Sequence, residues 1–473
     1  MRMDRQLFER VGAWVRAHED EIVRDVMRLV AIRSVSTYDE AGTPYGAGCK
    51  RALEEMLAIG RAQGFATRNF EDHCGALWLE EKDETIGLWG HLDVVPEGDG
   101  WTYAPFEPFY RDGYVVGRGA DDNKGSTVGM LYVMRCLNEL GVQLKHGLKL
   151  FVGCDEEHGM RDVQYYAAHY RCPELSMIAD CGFPVCYGEK GIIEADIVCK
   201  GALSGDVLSL EGGVASNVVP SRASMRLRAT PRVRAALEAA AVPEGIAVTW
   251  TDDTAGIEAE GVSRHTAFPE DGVNAVHRLL CFAIDQDILS QADAATLELL
   301  RQVNTDYWGS ALGIRRHDDL SGDLTCVGSM LRLEDAHAAL HVNIRYCVTE
   351  KAPALLKQME EAAARRGCYI RLVRESGPNY FPKEHPAVHA LMRAYRETTG
   401  SDAEPYVMGG GTYARKLPNA LGFGLGGLRR AHCPFLAEGH GGAHGPDEAL
   451  DVENLLQAMA VFAMGLIEAD GAL

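Results

Sequence analysis

The chain has 473 residues, 47% apolar and 24% charged, an ordinary balance for a globular protein and long enough for two domains. Its formal net charge of −21 speaks against nucleic acid as a partner, since a phosphate backbone needs a basic surface. The 13 cysteines are odd in number and scattered, so they read as reduced thiols rather than a disulfide framework. No run reads as the roughly 18 apolar residues of a membrane span. The charged start, Met1 to Glu9, lacks a secretion segment, so no membrane partner is expected and the cytoplasm is the expected compartment.

Residues 5–33 read as helical, with Leu7, Val11 and Val15, then Ile22, Val26, Leu29 and Val30 at helical spacing. A second helix is expected over 48–63. Strands and helices then alternate. Thr85 to Trp89 is a short apolar run ending at Gly90 and His91, and Ser126 to Leu140 reads as a helix stopped by Gly141. Leu148 to Gly153 is a strand ending at Asp155, Glu156 and Glu157, and Ser176 to Ala179 is another ending at Asp180. This alternation predicts an α/β sheet with helices on its faces.

The texture changes at about 190. Strand-like stretches at Ile192–Val198, Met225–Arg228, Ile246–Trp250 and Leu340–Tyr346 alternate with helical ones near 231–241, 272–284 and 351–366. The expected organisation is a first domain over 1–189 and 383–473, with a separate α+β domain inserted at 190–382. The last portion has a helix near 386–399, a Gly-rich turn at 409–411, a strand at Leu421–Leu425 and a closing helix over about 451–468.

Functional groups in α/β sheets gather beyond the carboxyl ends of strands. Three strand ends here carry metal-ligand residue types: His91 with Asp93, then Asp155-Glu156-Glu157, then Asp180. A fourth group, Gly119-Ala120-Asp121-Asp122-Asn123-Lys124-Gly125, lies just before a helix, and Gly441 to Glu448 offers His444. Zinc takes imidazole nitrogen and carboxylate oxygen, and two histidines with three carboxylates suffice for two ions if one carboxylate bridges. Adjacent Glu156 and Glu157 can divide the roles of base and ligand, and Asp93 can partner the second nitrogen of His91.

Each piece has a plainer reading. Asp180 can be a helix cap, and Asp122 near Lys124 a turn with a surface ion pair. His158 can be a supporting group or an exposed side chain, and Cys181 a packed thiol. His432, Cys433, His440 and His444 do not fit a zinc-finger spacing and read as a loop that delivers His444.

The ordered stretches G-L-W-G-H-L-D-V-V-P, G-R-G-A-D-D-N-K-G, D-E-E-H-G, D-C-G-F-P-V-C-Y-G-E-K-G, G-V-A-S-N-V-V-P, H-T-A-F-P-E-D-G-V-N-A, H-V-N-I-R-Y, G-G-G-T-Y-A-R and G-G-A-H-G-P-D-E cover nearly the whole chain. Together they resemble the zinc peptidases that include aminoacylases, carboxypeptidase G and succinyl-diaminopimelate desuccinylase, and most of all the bacterial dipeptidase V branch. The resemblance implies a catalytic domain with a central mixed sheet flanked by helices, plus an inserted α+β lid. It implies two zinc ions, with manganese or cobalt as substitutes: one held by His91, Asp122 and Asp180, the other by Asp122, Glu157 and His444. Glu156 would be the general base and then the acid, and Asp93 would orient His91. Asn217, His265 and Arg345 would grip the substrate, with His265 near the oxyanion. Gly410, Gly411 and Thr412 would lie against its carboxylate end.

The resemblance implies dipeptide hydrolysis on a small peptide substrate. The alternatives are an N-acyl-amino-acid deacylase with the same metal chemistry and an inactive binding protein, which would be expected to lose Glu156 or a ligand. The long insert favours a working monomer over the homodimer of short-insert branches. One departure is Asn123, where the family more often has Asp or Met.

Overall fold

The computed structural model describes residues 4–38, 42–428 and 433–473. The chain forms two compact units: one of residues 1–188, 380–406 and 411–473, the other of 189–379 and 407–410.

The first unit opens with helices α1 (Arg5–Ala17), α2 (Glu19–Val30) and α3 (Gly46–Ala62). The single helix expected over 5–33 is thus two, broken at His18, whose backbone leaves helical geometry at φ −108°. Next come β1 (Ala66–Phe70), β2 (Cys74–Trp78), β3 (Thr85–His91), β4 (Phe109–Arg111), β5 (Tyr114–Val116), α4 (Ser126–Glu139), β6 (Gly147–Gly153), α5 (Arg161–His169), β7 (Leu175–Ile178) and β8 (Val185–Glu189).

The second unit contains β9 (Gly191–Cys199), β10 (Val207–Gly212), β11 (Arg222–Arg228), α6 (Pro231–Ala239), β12 (Ile246–Trp250), β13 (Thr254–Glu260), α7 (Ala275–Asp285), α8 (Gln291–Val303), β14 (Thr325–Glu334), β15 (His337–Tyr346), α9 (Ala352–Ala364) and β16 (Cys368–Ser376). The chain returns to the first unit through α10 (Pro386–Thr399), β17 (Ala420–Phe423), β18 (Ala449–Asp451) and α11 (Val452–Ala472).

In the first unit the strands run β1-β2-β6-β3-β7-β17-β8. The centre is parallel: β3 pairs with β6 and β7, and β7 with β17, while β1, β2 and β8 join antiparallel, so the sheet is mixed. Parallel strands covered on both faces need continuous apolar runs, which is why β3, β6 and β7 were legible as short uninterrupted ones. Register places His91 opposite Gly153 and Trp89 opposite Ile178, so β3, β6 and β7 end side by side.

The closing helix α11 corrects one expectation. By length and composition it could cross a membrane, but most of it is buried, and its neighbours are α1, α4 and α10. It is the apolar core helix of this unit.

In the second unit eight strands run β12-β13-β11-β10-β14-β15-β9-β16, each antiparallel to its neighbours. Residues of α6 to α9 share one apolar core with the sheet. On β15, Leu340, Val342 and Ile344 enter that core, so the two-residue period turns His341, Asn343 and Arg345 to the opposite face.

Candidate functional site

The site of the first unit is assembled at the adjacent ends of β3, β6 and β7 and on two loops. His91 closes β3 and is 1% exposed. Its Nδ1 lies 3.0 Å from the carbonyl oxygen of Asp93 and 3.5 Å from that residue's carboxylate, so the ring is oriented chiefly by the backbone of Asp93. The Asp93 carboxylate does something the sequence did not suggest: it accepts the N–H groups of Glu156 (3.1 Å) and Glu157 (3.0 Å), fixing the turn after β6.

Asp122 lies in a distorted turn, Ala120–Gly125, that leads into α4, with extended backbone at φ −118°, ψ 95°. Its carboxylate faces two imidazoles. Oδ1 is 3.1 Å from His91 Nε2, and Oδ2 is 3.1 Å from His444 Nε2. His444 Nε2 is also 2.9 Å from Glu157 Oε1, and His91 Nε2 is 3.9 Å from Asp180 Oδ1. The five residues expected to hold metal therefore converge. Two groups of three have ligand atoms within 4.8 Å of one another, His91 with Asp122 and Glu157, and His91 with Glu156 and Asp180; His444 is in neither and reaches the cluster through Asp122 and Glu157. Glu156 thus stands inside the cluster, with its Oε1 buried and lacking a hydrogen-bond partner among the described residues.

Close packing at the strand ends explains two glycines. A Cβ on Gly90 would come within 2.3 Å of Thr127 Oγ1, and one on Gly153 within 2.3 Å of Asp162 Oδ2. Asn123 fills the space beside Gly90. Its amide donates to the Ala179 carbonyl (2.8 Å) and to Asp180 Oδ1 (3.1 Å), tying the end of β7 to the Asp122 turn.

Burial penalises charge on all these acids. It raises Glu156 well above the usual carboxylate range, with Asp180 adding repulsion, and raises Asp180 as well. Glu157 is pushed up to about 7, again by burial first, against the opposing pull of His444. For His91 burial favours the neutral ring, yet Asp122, Asp180 and Asp93 outweigh it and raise the imidazole well above its ordinary value. Hydrogen bonds to Asp122 and Glu157 raise His444 to about 10. Burial works against the Asp122 charge, but His444 and His91 hold this carboxylate below its ordinary value. A cation would relieve this crowding of buried carboxylates, and imidazole nitrogens with carboxylate oxygens are the donor set of divalent zinc. The residues fit such an ion.

Sequence reasoning missed the groups that hold this constellation. Asp162, fully buried, accepts the N–H of Cys154 (2.6 Å) and Asp155 (3.0 Å), and the Tyr413 hydroxyl donates to it. Ser36 Oγ and Tyr38 Oη donate to Asp155. Glu448, also fully buried, accepts three backbone N–H groups of the Asp122 turn and an ion pair from Arg118. Only the Gly-Pro-Asp-Glu spelling around Glu448 hinted at it.

Lys124 makes no surface ion pair: it is fully buried, with Nζ on the carbonyls of Leu29 and Ile32 at the end of α2. His158 is exposed and stacks on Tyr38 at 4.3 Å. His440 bonds Asp447, Cys433 is buried, and His432 lies outside the described residues.

In the second unit, Asn217 and His265 lie on paired segments: the Asn217 carbonyl accepts the Thr266 N–H at 2.9 Å, and Val218 bridges His265. His265 is exposed, and its Nδ1 accepts the Ala267 N–H. Arg345 is buried; its Nε donates to Asn343 Oδ1 (2.9 Å) and its Nη1 to the Gly409 carbonyl (3.1 Å) beside Gly410. Thr266 Oγ1 donates to the same Asn343 oxygen, so one amide links the His265 segment to Arg345. Gly411 and Thr412 belong to the first unit, where Thr412 is buried and caps the turn Tyr413–Lys416.

Residues 87–466 match the model of Peptidase family M20/M25/M40. The Beta-Ala-Xaa dipeptidase of Lactobacillus delbrueckii subsp. lactis is 30% identical over 467 residues, covering 96% of this chain and 96% of the relative. Human carnosine dipeptidase 1 matches with a TM-score of 0.56 at 15% identity, covering 98% of this chain and 99% of that one. The di-peptidase Dug1p of Saccharomyces cerevisiae matches with a TM-score of 0.57 at 14% identity, covering 98% of each chain. At these identities the two solved structures show a common fold.

Proposed function

The chain belongs to Peptidase family M20/M25/M40 and is a metallopeptidase, and from that premise we propose that it is a two-zinc dipeptidase acting on dipeptides with free termini. His91, Asp122 and Asp180 would hold one ion, and Asp122, Glu157 and His444 the other, with manganese or cobalt able to substitute. The observation that carries this is the Asp122 carboxylate, with one oxygen 3.1 Å from each imidazole. That is what a bridging ligand requires. Zinc bound there supplies Lewis acidity toward a carbonyl oxygen and toward water.

The chain's own residues do the rest. Glu156 takes the proton of the attacking water and returns it to the leaving amine. Its buried Oε1 has no hydrogen-bond partner among the described residues, which leaves that oxygen available to a water proton. Asp93 keeps His91 in one tautomer and holds the N–H groups of Glu156 and Glu157, so ligand and base share one anchor. On the resemblance, we extend the proposal to the substrate. Arg345 receives its free carboxylate through two parallel hydrogen bonds, backed by Gly410, Gly411 and Thr412. His265 donates to the oxyanion, and Asn217 assists.

The test compares one dipeptide, its C-terminal amide and its N-acetyl form, with zinc-loaded and chelator-treated protein. The dipeptide should be cleaved, both blocked forms should be poor, and chelation should abolish turnover. Preference for an N-acetylated amino acid would replace the proposal with a deacylase. Indifference to chelation would remove the metal from it.

A further inference from the structure

We propose that the buried Arg118–Glu448 pair is a positioning device that sets the spacing of Asp122 and His444, and thereby how tightly the site holds a divalent cation. This rests on the metal assignment above.

Glu448 is fully buried and Arg118 is 1% exposed, with 2.7 Å between Nη1 and Oε2. The carboxylate is also an acceptor for the turn that carries Asp122. Oε2 accepts the Gly119 N–H at 3.0 Å, and Oε1 accepts those of Asp121 at 3.0 Å and Asp122 at 2.9 Å. The guanidinium faces the other way. Its Nη2 donates to the carbonyls of His444 and Glu97, each at 3.2 Å. One ion pair therefore grips the backbone of both residues whose side chains meet at 3.1 Å.

His444 needs such a grip. Its side chain is 49% exposed, so packing does not place it, and its backbone is left-handed at φ 63°. Asp447 anchors the same loop from behind by accepting the N–H groups of Thr102 and Tyr103 and pairing with His440. A plain structural staple is the competing account. Yet a buried ion pair adds little stability over apolar packing. Here, moreover, three N–H groups of one four-residue stretch point at a single carboxylate, an arrangement that holds backbone in place.

The experiment measures zinc affinity of the metal-free protein by competition with a chromophoric chelator, alongside its metal-free melting temperature. The proteins are wild type, Glu448→Gln, Arg118→Lys and His444→Ala. Glu448→Gln keeps the shape but turns one acceptor toward donors, and Arg118→Lys keeps the charge but loses the fork to His444. Each should weaken zinc binding about 10–100-fold, as outer partners of metal ligands do. A merely structural staple would lower the metal-free melting temperature and leave affinity at the wild-type value, which would overturn the proposal. If Glu448→Gln does not fold, Arg118→Lys decides by the same criterion. Wild-type affinity in His444→Ala would instead sink the metal assignment. Loss there with no loss in the other two sinks only the positioning role.

Discussion

Asp196 in the second unit and the acids beyond β6 and β7 in the first are all withdrawn from water, yet they are neutralised in opposite ways. Asp196 is 4% exposed and accepts from His341 Nδ1 at 2.9 Å, Arg332 Nη2 at 2.7 Å and Arg371 Nη2 at 2.9 Å. Burial opposes its charge, but these partners hold it well below the usual carboxylate range. Asp180, Glu156 and Glu157 share with Asp122 two imidazoles and no arginine or lysine contact within 4 Å among the described residues. Burial instead raises all three, Glu157 to about 7. In the second unit the buried carboxylate is matched by two arginines and an imidazole. The site of the first unit has an excess of buried carboxylate that only a cation or protons can satisfy.

The largest effect that sharpens this contrast is at Glu156, the one acid of the cluster proposed to move a proton rather than hold an ion. Glu156→Gln keeps the volume and cannot accept the proton, so turnover should fall about 10²–10⁴-fold. Bound metal, measured by elemental analysis, should stay at the wild-type level. Near wild-type turnover would place the base elsewhere, with Glu157→Gln the next variant to assay.

A smaller effect is expected where the charges are balanced. Asp196→Asn removes the buried anion that Arg332 and Arg371 share and leaves both on the more exposed Glu334. Hydrogen bonds to charged groups are worth about 1.5–3 kcal/mol. The two arginine side chains are 32% and 43% exposed, so water screens them and the lower end applies. Urea unfolding should show the loss. The depressed carboxylate fixes the sign: the contribution is present above pH ~3.9 and disappears as pH falls through the lower folded value. An unchanged midpoint at pH 7 would mean that the network adds no stability.

What was legible in the sequence follows the same division. The stations at His91, Glu157 and Asp180 could be read because buried parallel strands are uninterrupted apolar runs, and ligand residue types stand where each run stops. Their convergence with Asp122 and His444 came from the order of motifs. The anchors could not be read. Asp162, Glu448 and the carboxylate of Asp93 act on backbone N–H groups, which carry no sequence signature, and Arg118 and Glu448 lie 330 residues apart. In the second unit β16, with the sequence Cys-Tyr-Ile-Arg-Leu-Val-Arg-Glu-Ser, escaped notice because it is an exposed edge strand with a bulge between Leu372 and Arg374 that breaks its alternation.

The last expected effect concerns protons standing in for the ion. Glu157 binds its proton more tightly in the folded chain, with a folded value of about 7 against roughly 4.3 for an unfolded glutamate. An acid raised on folding favours the folded state while protonated. Its contribution is therefore complete below pH ~4.3 and is lost as pH rises toward about 7. His444 adds to the same slope at higher pH. Raised to about 10, it stabilises fully below its unfolded value near 6.5 and less as pH climbs through the folded one. Metal-free protein should accordingly lose melting temperature between pH 5 and 7 relative to Glu157→Gln, which has no proton to give up there, by a few degrees at this chain length. Zinc should reverse the slope, because its ligands bind deprotonated and its stabilisation grows with pH. Calorimetric scans of wild type and variant, with and without zinc, test both halves. Parallel pH profiles for the two metal-free proteins would show that Glu157 does not hold the proton. A zinc-induced gain independent of pH would show that the ion does not displace protons from this cluster.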